Sequence, residues 1–187
     1  ILHTNDVHSQ IEAFPFNHNI YPDRGGFAKR ANIFKGLIKI NPNTLIFDAG
    51  DIFQGTPYFN FFQGELELNL MKKMGYNAAT IGNHEFDAGL DILKRNILNN
   101  DFQFISSNYN FTNTALEGLI SRYKVYKKQD VKIGVFGLGI ELKGLVNPKL
   151  YKETKYYDPI EISNEMTQIL KTEENCDLII CISHLGH

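Results

Sequence analysis

Short, nearly all-apolar runs alternate along this chain with stretches of helical periodicity, and that alternation narrows the folds open to it. Ile1-Leu2-His3-Thr4, Thr44-Leu45-Ile46-Phe47, Ala78 to Ile81, Phe104-Ile105-Ser106-Ser107 and Asp177 to Ser183 read as strands. Between them, Phe27 to Ile40 sets Phe27, Ala31, Phe34 and Ile38 on one helical stripe, broken by Asn41-Pro42-Asn43. Glu65 to Met74, halted by Gly75, also reads as a helix, as do Gly89 to Asn99 and Ser163 to Glu173. Arg122 to Lys127 and Lys132 to Phe136 read as paired strands turning at Gln129-Asp130. A strand apolar on both faces must be covered on both. The pattern therefore predicts an α/β fold with buried sheets, at least one of them mixed.

The length suits one domain over residues 1–187, or two very small ones. At 43% hydrophobic, the 187 residues carry enough apolar surface for a core without disulfide staples. Nineteen Lys and Arg against 21 Asp and Glu give a net charge of −2, which excludes a strongly basic binder of duplex nucleic acid. No apolar run approaches the length of a membrane span. Cys176 and Cys181, placed on one strand, stand about 16 Å apart at ~3.3 Å per residue, too far to bridge. They read as small buried hydrophobes. The chain opens on Ile1 without Met or a basic leader, and closes on Ser183-His184-Leu185-Gly186-His187 just after a strand. Processing or trimming upstream, and at least one further strand or loop downstream, are the expectation.

Polar clusters follow four of the strands: Asn5-Asp6-Val7-His8, Asp48-Ala49-Gly50-Asp51, Gly82-Asn83-His84-Glu85 and Ser183-His184. Ligand sites of open α/β sheets lie beyond the carboxyl ends of strands, so these clusters can meet. Asp6 and His8, two residues apart, point to one side of an extended segment. Gly50 permits a tight turn into Asp51, whose carboxylate can bridge two cations. Asn83 offers a neutral oxygen and His184 an imidazole. Such mixed donors suit Mn, Zn, Co, Fe or Ni better than an all-oxygen calcium cage. Asp6 and His8 on one side of Asp51, with Asn83 and His184 on the other, would hold a pair of divalent metal ions, the arrangement that clamps both oxygens of an in-line phosphoryl displacement. Asp87, three residues past His84, can orient that imidazole as a proton donor or cationic clamp.

Each residue has a plainer reading. Asp6 and Asp51 suit turns, Asp87 a helix N-cap ahead of Gly89 to Asn99, and His184 a strand end. His3 reads as a packing or capping residue, His18 as a solvated loop residue, and His187 as a possible ligand left aside. Gly134 to Gly139 reads as a strand leaving through a glycine turn, since neither a dinucleotide loop nor a P-loop is complete. Phe59, Phe61 and Phe62 read as core in preference to the lining of a pocket. Four coincidences at four strand ends favour the functional reading.

The chain resembles the 5′-nucleotidase-type calcineurin-like metallophosphoesterases, in their N-terminal metal-binding domain. The resemblance rests on Ile1 to Ser9, on Asp48-Ala49-Gly50-Asp51 through Thr56, on Ile81 to Asp87 and on Ile182 to Gly186, with Gly25-Gly26 and Ser107-Asn108 in agreement. It implies a four-layer α/β/β/α sandwich with mixed sheets. It also implies two metals held by Asp6, His8, Asp51, Asn83 and His184, and a catalytic dyad of His84 and Asp87. The implied activity is release of phosphate from nucleotides by in-line attack of a metal-activated hydroxide, with no phosphoenzyme. Cleavage of 2′,3′-cyclic nucleotides, 3′-nucleotides or nucleotide sugars is the alternative, and a phosphate- or metal-binding module the non-enzymatic one. The family's next motif, a Gly-His-x-His-like stretch, and its C-terminal substrate-binding domain would lie beyond His187. This stretch alone is therefore expected to bind metal less tightly, with its activity at risk. Relatives of this type usually work in the periplasm, at the cell surface or outside the cell.

Overall fold

The computed structural model describes residues 1–186; His187 falls outside them. In chain order the elements are β1 (Leu2–Thr4), α1 (Phe27–Ile40), β2 (Ile46–Asp48), α2 (Pro57–Phe62), α3 (Glu65–Met74), β3 (Ala78–Ala79), a 3-10 turn (His84–Phe86), α4 (Leu90–Asn100), β4 (Tyr109–Asn110), β5 (Tyr123–Lys128), β6 (Val131–Gly139), α5 (Pro148–Tyr151), β7 (Lys155–Tyr156), α6 (Pro159–Thr172) and β8 (Leu178–His184). Strands β1, β2 and β3 pair in that order, all parallel. Parallel bridges at Ala79–Phe104 and Ile105–Ser121 extend that sheet. The second sheet runs β5-β6-β8, with β5 and β6 antiparallel and β6 and β8 parallel, so it is mixed. A small antiparallel pair, β4 with β7, stands apart.

Side-chain alternation along the strands builds the layers. Ile46 and Ala79 join the cluster holding Phe34 of α1, Leu68 and Met71 of α3, and Leu93 and Ile97 of α4. Their neighbours Leu45, Phe47 and Ala78 face the other way and pack with Ile133, Val135 and Ile182 of the second sheet. The far side of that sheet, through Phe136 and Leu138, packs on Ile162, Met166 and Leu170 of α6. Helices, sheet, sheet and helix thus form four layers, the α/β/β/α order that the resemblance implies. Each sheet buries both faces, which is why its strands read as apolar runs rather than as alternation.

Several sequence expectations need correction. The glycines of 134–139 do not leave through a turn; all lie inside β6. There they permit close approach: a Cβ on Gly137 would collide with the Ile105 carbonyl and the Thr80 hydroxyl across the sheets. Residues 104–107 form only isolated bridges rather than a full strand. Helix α6 starts before Ser163, because the Asp158 carboxylate accepts from the amides of Ile160 (2.8 Å) and Glu161 (3.0 Å) and Pro159 fills the first turn. Helix α2 buries Phe59 but leaves Phe61 exposed, so the three phenylalanines are not all core. His3 is exposed rather than packed. Both cysteines are free; Cys176 is half-buried against α6, whereas Cys181 is exposed on β8. Among the described residues no helix is long and apolar enough to cross a membrane.

Gly137→Val should destabilise the chain by about 3 kcal/mol, because overpacking between two sheets has no flexible neighbour to displace. Urea unfolding checks this; an unchanged midpoint would contradict the inter-sheet contact.

Candidate metal centre

Because β1, β2 and β3 run parallel, their exits lie on one edge, and β8 delivers His184 to the same place. Backbone hydrogen bonds then stitch the first two exits together: Asp6 N–H to the Gly50 carbonyl (3.0 Å), His8 N–H to that of Asp51 (3.1 Å) and Ser9 N–H to that of Ile52 (2.9 Å). The stitched loops are strained. Asp6, His8, Ser9, Asp51 and Gln54 all have φ between 43° and 66°, a left-handed region costly for residues with a Cβ.

Glu85 holds the next pair of exits. Its fully buried carboxylate accepts from the amides of Asp51 (3.0 Å), Ile52 (2.7 Å), Phe53 (3.3 Å) and Gly82 (2.6 Å). Burial, joined by the nearby Asp51 charge, pushes this carboxyl up to about 7, while the amides pull it down. Asp48, at the end of β2, plays the matching part on the other side. It is buried and raised to about 7 by that burial, and it accepts from the Thr4 hydroxyl and from the Gly50 amide (2.9 Å). Sequence reasoning gave neither carboxylate a role, although Glu85 stands inside the Gly82-Asn83-His84-Glu85 cluster.

The structure brings Asp6, His8, Asp51, His84 and His184 together. Asp51 Oδ2 lies 3.3 Å from His184 Nε2 and 3.9 Å from His8 Nε2, and Asp6 Oδ1 lies 3.7 Å from His8 Nε2. Two groups have donor atoms close enough to share one ion: Asp6, Asp51 and His184, and His8, Asp51 and His84. Asp51 belongs to both. Asn83 sits on the same turn, one residue before His84, whose amide donates to Asp51 Oδ1 at 2.9 Å. Asp87 does not cap α4, whose N-cap is Gly89. Its carboxylate instead accepts from His84 Nδ1 at 2.7 Å. His18 accepts two amides of its own loop, from Ile20 and Tyr21.

His184 Nδ1–H donates to the Ala49 carbonyl at 2.9 Å, which leaves Nε2 for Asp51. Burial pulls this imidazole down, but the Asp51 carboxylate more than offsets it and holds the group at about 9. Burial likewise raises Asp51, and the hydrogen bonds from His184 and the His84 amide bring it below the usual carboxylate range. Metal-binding histidines are commonly oriented in this way, by a carbonyl that takes the N–H of the nitrogen facing away from the ion.

A family model for calcineurin-like phosphoesterases matches residues 1–187. The chain belongs to the calcineurin-like phosphoesterases. It is 33% identical over 191 residues to a 5′-nucleotidase of Vibrio vulnificus, covering all of this chain and 34% of that protein. Among solved structures, the 5′-nucleotidase precursor of Thermus thermophilus superposes with a TM-score of 0.89 at 31% identity, over 98% of this chain and 36% of that one. The NAD nucleotidase of Haemophilus influenzae gives 0.84 at 30%, over 98% and 34%. This phosphoesterase chain spans about a third of the length of the relatives it matches.

The His184–Asp51 pair yields a pH prediction for the metal-free chain. The folded imidazole titrates near 9, above its ordinary 6.5, so its contribution to stability is complete below 6.5 and is lost as pH rises through 9. In Asp51→Asn the midpoint should fall toward 6.5. Histidine NMR titration reads both values, and a midpoint still near 9 in the variant would contradict the assignment.

Proposed function

We propose that the protein to which this chain belongs hydrolyses phosphoesters of nucleotides, in the manner of a 5′-nucleotidase, at a centre of two divalent metal ions. The observation that carries this reading is the Asp51 carboxylate, common to both metal-competent groups. The ligand set we propose is Asp6 and His8 for one ion, Asn83 and His184 for the other, and Asp51 between them, a division that differs from the two groups themselves, which set Asp6 with His184 and His8 with His84. The donors fit: two carboxylates, two imidazoles, of which His184 already has Nδ1 committed to the Ala49 carbonyl, and a neutral amide favour Mn, Zn, Co, Fe or Ni. When bound, the ions supply Lewis acidity at the phosphoryl group and acidify water.

The chain's own residues supply orientation and the proton. Asp87 fixes His84 with Nδ1–H committed, leaving Nε2 for the phosphoryl group or the leaving oxygen. Glu85 and Gly82 keep that turn against Asp51; a Cβ on Gly82 would strike the Asp51 carboxylate. The names 5′-nucleotidase and NAD nucleotidase among the relatives make nucleotides the first substrates to test, with 2′,3′-cyclic nucleotides, 3′-nucleotides and nucleotide sugars beside them. Residues 1–187 are read as the metal-binding part of a longer protein whose remainder holds the nucleoside. Export to the periplasm, the cell surface or the medium belongs to the same reading, supported by the precursor designation of the Thermus thermophilus protein.

The full-length protein should release phosphate from a nucleotide panel with Mn, Co or Zn. Asp51→Asn should weaken both metals together, whereas His84→Asn should keep both and lose about a hundredfold or more in kcat. Calorimetry and phosphate release measure the two effects. Absence of any phosphoester cleavage would contradict the enzyme reading in favour of a binding module, and full metal retention in Asp51→Asn would contradict the bridging role.

A further inference from the structure

The second sheet runs β5-β6-β8, so His184 stands on an edge strand whose ladder, among the described residues, is with β6 alone. The register sets Leu138 opposite Ser183 and Gly139 opposite His184. The end of β6 therefore fixes where His184 stands. On its other side that end has outrun its neighbour, because the ladder with β5 stops at the Tyr123–Phe136 pair. Residues 107–109 take over. The Ser107 amide donates to the Gly137 carbonyl (2.8 Å). The Asn108 side chain grips Gly139 twice, accepting from its N–H at 2.8 Å and donating to its carbonyl at 2.7 Å. The Tyr109 hydroxyl donates to the Ile140 carbonyl. Asn108 and Tyr109 are both buried, and a Cβ on Gly139 would run into the Tyr109 ring.

An asparagine amide offers one donor and one acceptor side by side, as the backbone of a neighbouring strand does. Asn108 thus pins a single residue at a strand end, where a ladder otherwise frays. That residue is the register partner of His184. Tyr109 also reaches the other limb of the site. Its ring meets Phe86 edge-on, with centroids 5.6 Å apart, on the 3-10 turn that follows Asn83. We propose that Asn108 and Tyr109 are positioning residues for the ion that His184 holds. Asn108 fixes Gly139 and with it the His184 backbone; Tyr109 ties the same strand end to the turn that carries Asn83. This rests on the metal reading above, in which His184 and Asn83 are ligands. Neither positioning residue is itself a ligand; each acts through the backbone beside one.

The test uses the full-length protein, titrated with manganese by calorimetry and melted in EDTA. Asn108→Ala should weaken one of the two manganese sites about tenfold or more, the range typical of residues that orient a ligand, and leave the other at wild-type affinity. Manganese-edge diffraction from crystals of Asn108→Ala at limiting manganese should show the depleted peak beside His184. Tyr109→Phe removes only the hydroxyl and should weaken the same site about fivefold, the scale of one hydrogen bond. It carries the test should Asn108→Ala fail to fold. Leu170→Ala opens a cavity in the buried contact between α6 and the sheet. It should melt earlier than wild type in EDTA yet keep both manganese sites, which separates lost positioning from lost stability. Wild-type affinity at both sites in the variants at 108 and 109, equal losses at both sites, a depleted peak away from His184, or loss of a site in Leu170→Ala would overturn the proposal. A wild-type protein that binds no manganese would overturn the metal reading, and the proposal with it.

Discussion

Four backbone amides from two separate loops converge on the carboxylate of Glu85, in a place no water reaches. A buried carboxylate without partners is very costly, whereas hydrogen bonds to a charged group contribute about 1.5–3 kcal/mol each. Glu85 therefore fixes the loop after β2 against the turn after β3 more firmly than packing alone would. Asp51 and His84 are the residues so fixed, and the His84 amide closes the loop onto Asp51 itself. With Asp48 holding the root of the same loop through Thr4 and Gly50, the site stands on two buried carboxylates that never face the solvent.

That support explains how the site tolerates its strain. Asp6, His8, Ser9 and Asp51 hold left-handed backbone conformations side by side, each costing of order 1–3 kcal/mol. The ladder of amide–carbonyl bonds between the loops offsets part of this and gives the donors one shared direction. The result is a charge arrangement poised for cations: Asp51 paired with two imidazoles, Asp6 beside it, and the His184 ring steered by the Ala49 carbonyl. In the absence of a cation, a proton on His184 balances the Asp51 charge.

Much of this was legible in the residues. Helices α1 and α3 lie over the same residues that the periodic stripe and the Gly75 stop mark out. The hairpin turns at Gln129, and the polar clusters lie at strand exits, because parallel strands buried on both faces leave no other place for polar residues. What stayed hidden was whatever periodicity cannot carry. Strands β4 and β7 are two residues long, α5 is a single turn, and α2 is apolar nearly all round. The glycines of β6 read as a turn because their purpose, close approach to Ile105, Thr80, Tyr109 and Leu170, depends on residues distant in sequence. Glu85 stayed unassigned for the same reason: its partners are amides, which carry no sequence identity. Asp87 could be read as a cap or as a partner of His84, and only the placement of the α4 N-cap at Gly89 decides between them.

The central claim is that one carboxylate, Asp51, joins two cation positions. Anomalous diffraction at the manganese edge, from crystals of the full-length protein grown with manganese, tests it most directly. The account predicts two peaks separated by about 3.5–4 Å, on either side of the Asp51 carboxylate, with Asp6, His8, Asn83 and His184 around them. A single peak, or peaks that leave Asp51 out, would contradict it.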